Sequence, residues 1–169
     1  MPLRHIWTPW RLPYVAGQTK REGCVFCDIV AQPDEHDARN YLLYRGQRVF
    51  ALLNLYPYNN GHLMVLPYDH LPSLENLSLQ TQADMMHLVC YFVGALRDEM
   101  SPAGFNVGVN LGRAAGAGIA DHVHIHVVPR WAGDTNFMPV VAETRVIPEL
   151  LDDTYRHLRE FVERNPPPC

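Results

Sequence analysis

The stretch HVHIHVV, residues 122–128, alternates His122, His124 and His126 with Val123, Ile125 and Val127. Strict alternation is the period of a β-strand, whose successive side chains point to opposite faces. The apolar residues therefore turn towards a core and the three imidazoles turn the other way. With 9 His in 169 residues, chance gives this spacing about 0.025 times per chain. The bland alternative is a solvated strand face that happens to carry histidines.

The neighbouring segments place this strand in a sheet. VFALLN (49–54) and HLMVLP (62–67) are apolar and of strand length, and YPYNNG between them is rich in turn formers. Residues 79–100 set Ala83, Met86, Val89, Cys90, Val93, Leu96 and Met100 on one helical face, stopped by Ser101 and Pro102. FNVGVNL (105–111) alternates, with Phe105, Val107, Val109 and Leu111 on one side, which predicts a half-buried strand. GRAAGAG then reads as a loop. After Pro148, Leu150, Leu151, Tyr155, Leu158, Phe161 and Val162 recur at helical spacing and predict a C-terminal helix. The expected class is α+β, a mostly antiparallel sheet with helices on one face. A length of 169 residues without a linker suits one domain, 1–169.

Composition narrows the partners. With 47% hydrophobic and 19% charged residues, the chain is of globular type, and no apolar run nears the roughly 20 residues that cross a bilayer. MPLRHIWTPWRLPYV has no apolar core of the secretory kind, so a cytoplasmic protein with no membrane partner is expected. A net charge of −4 argues against a broad nucleic-acid footprint. A small polyanion needs only a local site. Of the four cysteines, Cys24 and Cys27 form a CxxC pair, more often a metal or redox site than a disulfide in the cytosol. Cys90, in the helical pattern, and Cys169, in the terminal PPPC, are assigned no role.

Two chemistries suit the imidazoles. Neutral histidines can share a catalytic metal, with Asp121 as a weak carboxylate candidate. Alternatively, one imidazole is a nucleophile that its neighbours orient and supply with protons. Glycines at 112, 116 and 118 allow backbone to approach an anion, and Asn110 adds a neutral donor, which favours phosphate chemistry.

HVHIHVV also resembles the signature of the histidine triad (HIT) superfamily of nucleotide hydrolases and transferases. CVFC, NLYPYNNGHLMVLP and GFNVGVNLG precede it in the family's order, so the likeness covers about residues 22–131. The segments WTPWRLPYV and PRWAGDTNFMPV, in extensions 1–21 and 132–169 and at the boundary of the core, resemble the branch that includes bacterial diadenosine tetraphosphate phosphorylases. The resemblance implies that His124 attacks an α-phosphorus, that His126 contacts the phosphate and assists the leaving group, and that His62 supports the imidazole network. It places the ribose at Asn54, the base near Leu55 and the phosphates at Asn110, Gly116 and Gly118. Ile119 departs from the Ser or Thr that many members carry. Trp131 is a candidate for stacking on a second nucleotide, with core or dimer packing as the alternative.

Zinc-containing members of the family would complete Cys24 and Cys27 with His70 and His122. Such a closed Cys₂His₂ set makes a zinc ion structural; an unmetallated thiol pair is the alternative. No organic cofactor is expected, and the family resemblance implies a homodimer. The expected activity is cleavage of diadenosine tetraphosphate or triphosphate through a nucleotidyl-histidine, phosphorolysis before hydrolysis. A nucleoside phosphoramidate hydrolase and a nucleotide-binding signalling module are the competing readings.

Overall fold

A computed structural model describes residues 23–134 and 149–168. WTPWRLPYV, the distal part of PRWAGDTNFMPV and Cys169 lie outside them. The strands are β1 (Leu42–Arg45), β2 (Val49–Leu53), β3 (Leu63–Pro67), β4 (Gly104–Val109) and β5 (Ile125–Arg130). They form one sheet in the order β1-β2-β3-β5-β4, every neighbouring pair antiparallel. The helices are α1 (Val25–Val30), α2 (Leu79–Met100) and α3 (Leu151–Arg164). The chain is thus α+β. Among the described residues, no helix is long and apolar enough to cross a membrane.

β2 and β3 are apolar at nearly every position because both faces of the sheet centre are covered. Ala51, Leu53, Leu63 and Val65 join Val123, Ile125 and Val127 in a cluster with Met85, Leu88, Phe92 and Leu96 of α2 and Leu158 of α3. Burying a side chain such as Leu88 or Phe92 contributes about 1.5–3 kcal/mol. On the opposite face Leu42, Phe50, Leu52, Met64 and Leu66 form a second cluster with Phe26 of α1. Helices on one face were the expectation; the six-residue α1 also covers part of the other.

α2 has the predicted ends. Ser78 caps it by accepting the Thr81 N–H, and Ser101 ends it in the left-handed region at φ 47°. Its buried stripe differs from the predicted one: Met86 and Cys90 are exposed, while Thr81, Asp84, Met85, Leu88 and Phe92 are buried. Two polar residues sit on that stripe because they have partners, Thr81 at the cap and Asp84 on Arg48. A hydrophobicity pattern therefore rotates the face.

β4 is an edge strand. α2 packs on β2, β3 and β5, so Phe105 and Val109 reach the core while Val107 remains exposed. Leu111, just beyond the strand, is exposed too. Gly61, ahead of β3, adopts φ +69°, and a Cβ there would lie 2.8 Å from Leu96 Cδ2 and 2.9 Å from Met100 Sδ. The positive φ favours glycine here, and a Cβ would have to push the flexible ends of Leu96 and Met100 aside.

Candidate active site

The face of the sheet opposite α2 carries an open cavity of about 650 Å³. Met64 lies opposite His126, Leu52 opposite Met64, and Leu42 opposite Leu52, one lateral row from β5 to β1. α1 roofs part of the row with Phe26 and Ile29, and the 110–119 loop closes the β5 side. His124, His126, Asn54, Leu55, Asn110, Gly116 and Gly118 all line this cleft. Gly116 stands at φ +88° after the Arg113–Ala115 turn, a conformation that requires glycine. Ile119 lines the cleft and packs on the Phe26 cluster, so it supplies apolar wall where a hydroxyl was the family pattern.

Hydrogen bonds to backbone groups fix the imidazole tautomers. His124 Nδ1 lies 2.8 Å from the His122 carbonyl, which can only accept, so Nδ1 carries the proton and Nε2 is a bare lone pair. Burial holds this imidazole below the usual histidine range, against the opposing pull of that bond, so the ring is neutral near pH 7. Its exposure is only 6%. The Tyr58 N–H donates to His62 Nδ1 at 3.0 Å, which leaves the proton on His62 Nε2. That group donates to His126 Nδ1 at 3.0 Å and leaves His126 with a proton on Nε2. The His124 and His126 rings lie 4.8 Å apart, and Tyr58 stacks on His62 at 4.9 Å. One neighbour thus offers a lone pair and the other a proton.

His122 is turned differently. Its Nε2–H donates to the Pro67 carbonyl at 2.9 Å, so Nδ1 presents a lone pair to Cys24 Sγ at 3.4 Å and Cys27 Sγ at 3.6 Å. Cys27 Sγ also lies 3.3 Å from His70 Nδ1. One potential ligand atom from each of Cys24, Cys27, His70 and His122 falls within 4.8 Å of the others. Two ligands on one tetrahedral ion, with metal–sulfur about 2.3 Å and metal–nitrogen about 2.0 Å, stand about 3.5 Å apart. Burial, followed by the neighbouring Cys24, raises the Cys27 thiol above its usual range, so paired thiolates in this corner require a cation. The residues fit a closed four-ligand metal site, and the bond to Pro67 orients the His122 ring. Asp121 is exposed and outside the cluster.

Trp131 and Asn54 are both engaged within the protein. Trp131 does not line the cleft; its indole N–H donates to the Met100 carbonyl at 3.3 Å, satisfying an orphan acceptor at the end of α2. Asn54 lines the cleft, but its Oδ1 already accepts the Tyr56 N–H at 2.9 Å and its Nδ2 lies 3.5 Å from His62 Nε2, so what it offers a ligand is the remaining N–H of Nδ2. Sequence reasoning missed Phe26, whose ring lies 5.5 Å from that of His122 and 5.3 Å from that of His124, and Tyr58, which acts through its backbone. The adjacency of Phe26 to Cys27 was the available signal for the first; no side-chain pattern reveals the second.

The HIT domain family matches residues 35–133. The chain belongs to the HIT family. It is 41% identical over 169 residues to the AP-4-A phosphorylase of Mycobacterium tuberculosis, covering 97% of this chain and 87% of that one. The protein hit of Bacillus subtilis is 30% identical over 116 residues, 69% of this chain and 77% of that one. Among solved structures, a Zn-bound histidine triad family protein from Mycobacterium smegmatis superposes with a TM-score of 0.67 at 30% identity, over 84% of this chain and 94% of that one. Family membership and the relative at 41% identity make this HIT protein an enzyme acting on nucleotides.

Proposed function

We propose that this HIT protein transfers the nucleotidyl group of diadenosine tetraphosphate or triphosphate through His124, with phosphate the preferred acceptor. The observation that carries the reading is the bare Nε2 of His124 beside the protonated Nε2 of His126 in one cleft. The 41% identity to an AP-4-A phosphorylase over nearly the whole chain supports the substrate and the phosphorolysis.

In this mechanism His124 Nε2 attacks the α-phosphorus and the P–O bond to the leaving nucleotide breaks. The Nδ1–H keeps its bond to the His122 carbonyl, which stabilises the positive charge the ring acquires. His126 Nε2–H donates to the oxygen where negative charge develops, backed by His62 and the Tyr58 N–H. Asn54 Nδ2 meets the ribose diol, Leu55 and its apolar neighbours the base, and Asn110, Gly116 and Gly118 surround the phosphates. An acceptor then attacks the same phosphorus, the N–P bond breaks, and His124 recovers its lone pair.

The metal is zinc on this reading, held by Cys24, Cys27, His70 and His122, as the Zn-bound relative supports. A closed set of four protein ligands supplies cross-linking rather than Lewis acidity. It ties α1 and the segment after β3 to the triad, and so fixes the ring next to the nucleophile. The reading treats 1–169 as one unit, supported by Tyr155 and Arg159 of α3 bonding to the Leu42 and Leu43 carbonyls. It also includes a cytoplasmic homodimer, for which the apolar edge at Val107 and Leu111 is a candidate cover surface.

The test is incubation with diadenosine tetraphosphate, with and without inorganic phosphate, resolving products by chromatography. ADP plus ATP only with phosphate supports the proposal. AMP plus ATP without phosphate replaces phosphorolysis by hydrolysis, and no cleavage overturns it.

A further inference from the structure

The cleft continues past the expected ribose position to a polar end that the mechanism does not use. Asp28, Gln32 and Asn40 line it there. Gln32 Nε2 donates to the Asp28 backbone carbonyl at 3.2 Å, and Asn40 Nδ2 donates to Gln32 Oε1 at 3.0 Å. A backbone carbonyl only accepts, so the first bond fixes which end of the Gln32 amide faces Asp28. The second bond then fixes the Asn40 amide. Oδ1 is the end of Asn40 left over, and no donor among the described residues reaches it.

The support around this relay is extensive. Arg45 donates to the Val30 carbonyl at 2.9 Å, to the Gln32 carbonyl at 3.0 Å and to Asp37 at 2.7 Å. The Asn40 N–H in turn donates to the Asp37 carbonyl at 3.1 Å. Arg45 therefore ties both halves of the relay to β1. Tyr41, directly after Asn40, is held at φ 54°. That conformation is costly for a bulky residue, and here the bond to Asp152 of α3 and the Leu53 N–H on its carbonyl keep it.

The distance also matches a mononucleotide. From His126 the lateral row passes Met64 and Leu52 to Leu42, three strand steps of about 4.8 Å, or about 14 Å in all. A nucleotide with its phosphate at His126 and its ribose at Asn54 therefore lays its base towards the β1 edge, where Asn40 precedes Leu42. Phe26, Ile29, Leu52 and Ile119 supply the apolar slot in between.

We infer that Asn40 is a specificity-determining residue that reads the base: its relay-fixed Oδ1 accepts from the 6-amino group of adenine and repels the 6-oxo group of guanine. The inference rests on the nucleotide reading of the cleft, but not on which acceptor the reaction uses. An acceptor facing an acceptor leaves both without their bond, which is the stronger half of such discrimination.

The experiment is calorimetric titration of AMP and of GMP into the metal-loaded full chain, as wild type, Asn40→Leu and Gln32→Ala, with near-ultraviolet circular dichroism as the check on folding. Wild type is expected to bind AMP about tenfold more tightly than GMP or better, the scale of one hydrogen bond. Asn40→Leu brings the ratio to within about twofold, by weakening AMP, which loses its bond, and by relieving GMP of the facing acceptor. Gln32→Ala narrows the ratio chiefly by strengthening GMP, because the freed Asn40 amide can rotate and offer Nδ2 to the 6-oxo group. An unchanged AMP-to-GMP ratio in a folded Asn40→Leu protein overturns the inference while leaving nucleotide binding intact, as does equal binding by wild type. Failure of wild type to bind either nucleotide overturns the nucleotide reading itself, and the inference falls with it.

Discussion

The two faces of the sheet are built from the same strands and held in different ways. Towards α2 and α3, Val123, Ile125 and Val127 join Leu88, Phe92 and Leu158 in one apolar cluster. Towards α1, His122, His124 and His126 lie among backbone carbonyls, thiols and one another. The first face draws on buried area, which tolerates small displacements. The second has its own apolar cluster around Phe26, but its imidazoles depend on hydrogen-bond direction, which does not. A single alternating segment, of which β5 takes up only Ile125 onward where the sequence predicted a strand from His122, thus carries stability on one side and chemistry on the other.

Substitutions separate the two. His124→Asn is expected to lower kcat by about 10⁴-fold or more, with the melting temperature near that of the wild type; steady-state kinetics and calorimetry read both. A collapse in stability comparable to a core truncation would break the contrast. Phe92→Ala should do the reverse, costing about 3–5 kcal/mol in urea unfolding while the folded fraction keeps its kcat. Cys27→Ser or exhaustive chelation is the intermediate case. Mass spectrometry should find about one zinc per chain before treatment and none after, and a melting temperature lower by about 5–10 °C. A fall as large as that of Phe92→Ala would make the metal a second core rather than a local clamp. His62→Phe sharpens the comparison most finely. It keeps the packing but removes the proton relay, and should reduce kcat by about 10–100-fold with little change in KM.

Much of this arrangement was legible because period and chemistry coincide. The alternation at 122–128 assigned both faces of the histidine segment, and the ends of α2 followed from the Ser101–Pro102 stop and the run of helix formers before it. β1 was not legible, since LLYR is short, lacks alternation and follows a residue in the left-handed region. The buried stripe of α2 was rotated because Asp84 belongs to it through Arg48, a partner 36 residues away. Within the site, residue types identified the imidazoles and thiols, but not their tautomers. Those depend on the Pro67 and His122 carbonyls and the Tyr58 N–H, backbone groups that every sequence carries. Trp131 was ambiguous for a related reason: an indole suits a base and a helix end equally well.

Gly61 has a bearing on how such an enzyme can be altered. It immediately precedes His62, and its missing side chain is the space into which Leu96 and Met100 press from α2. A change that thickens the helix at this contact must either displace the flexible ends of Leu96 and Met100 or move a turn one peptide unit from the imidazole that orients His126. Thermal hardening and catalytic tuning are therefore coupled variables here, and selection for one near this turn will be recorded in the other.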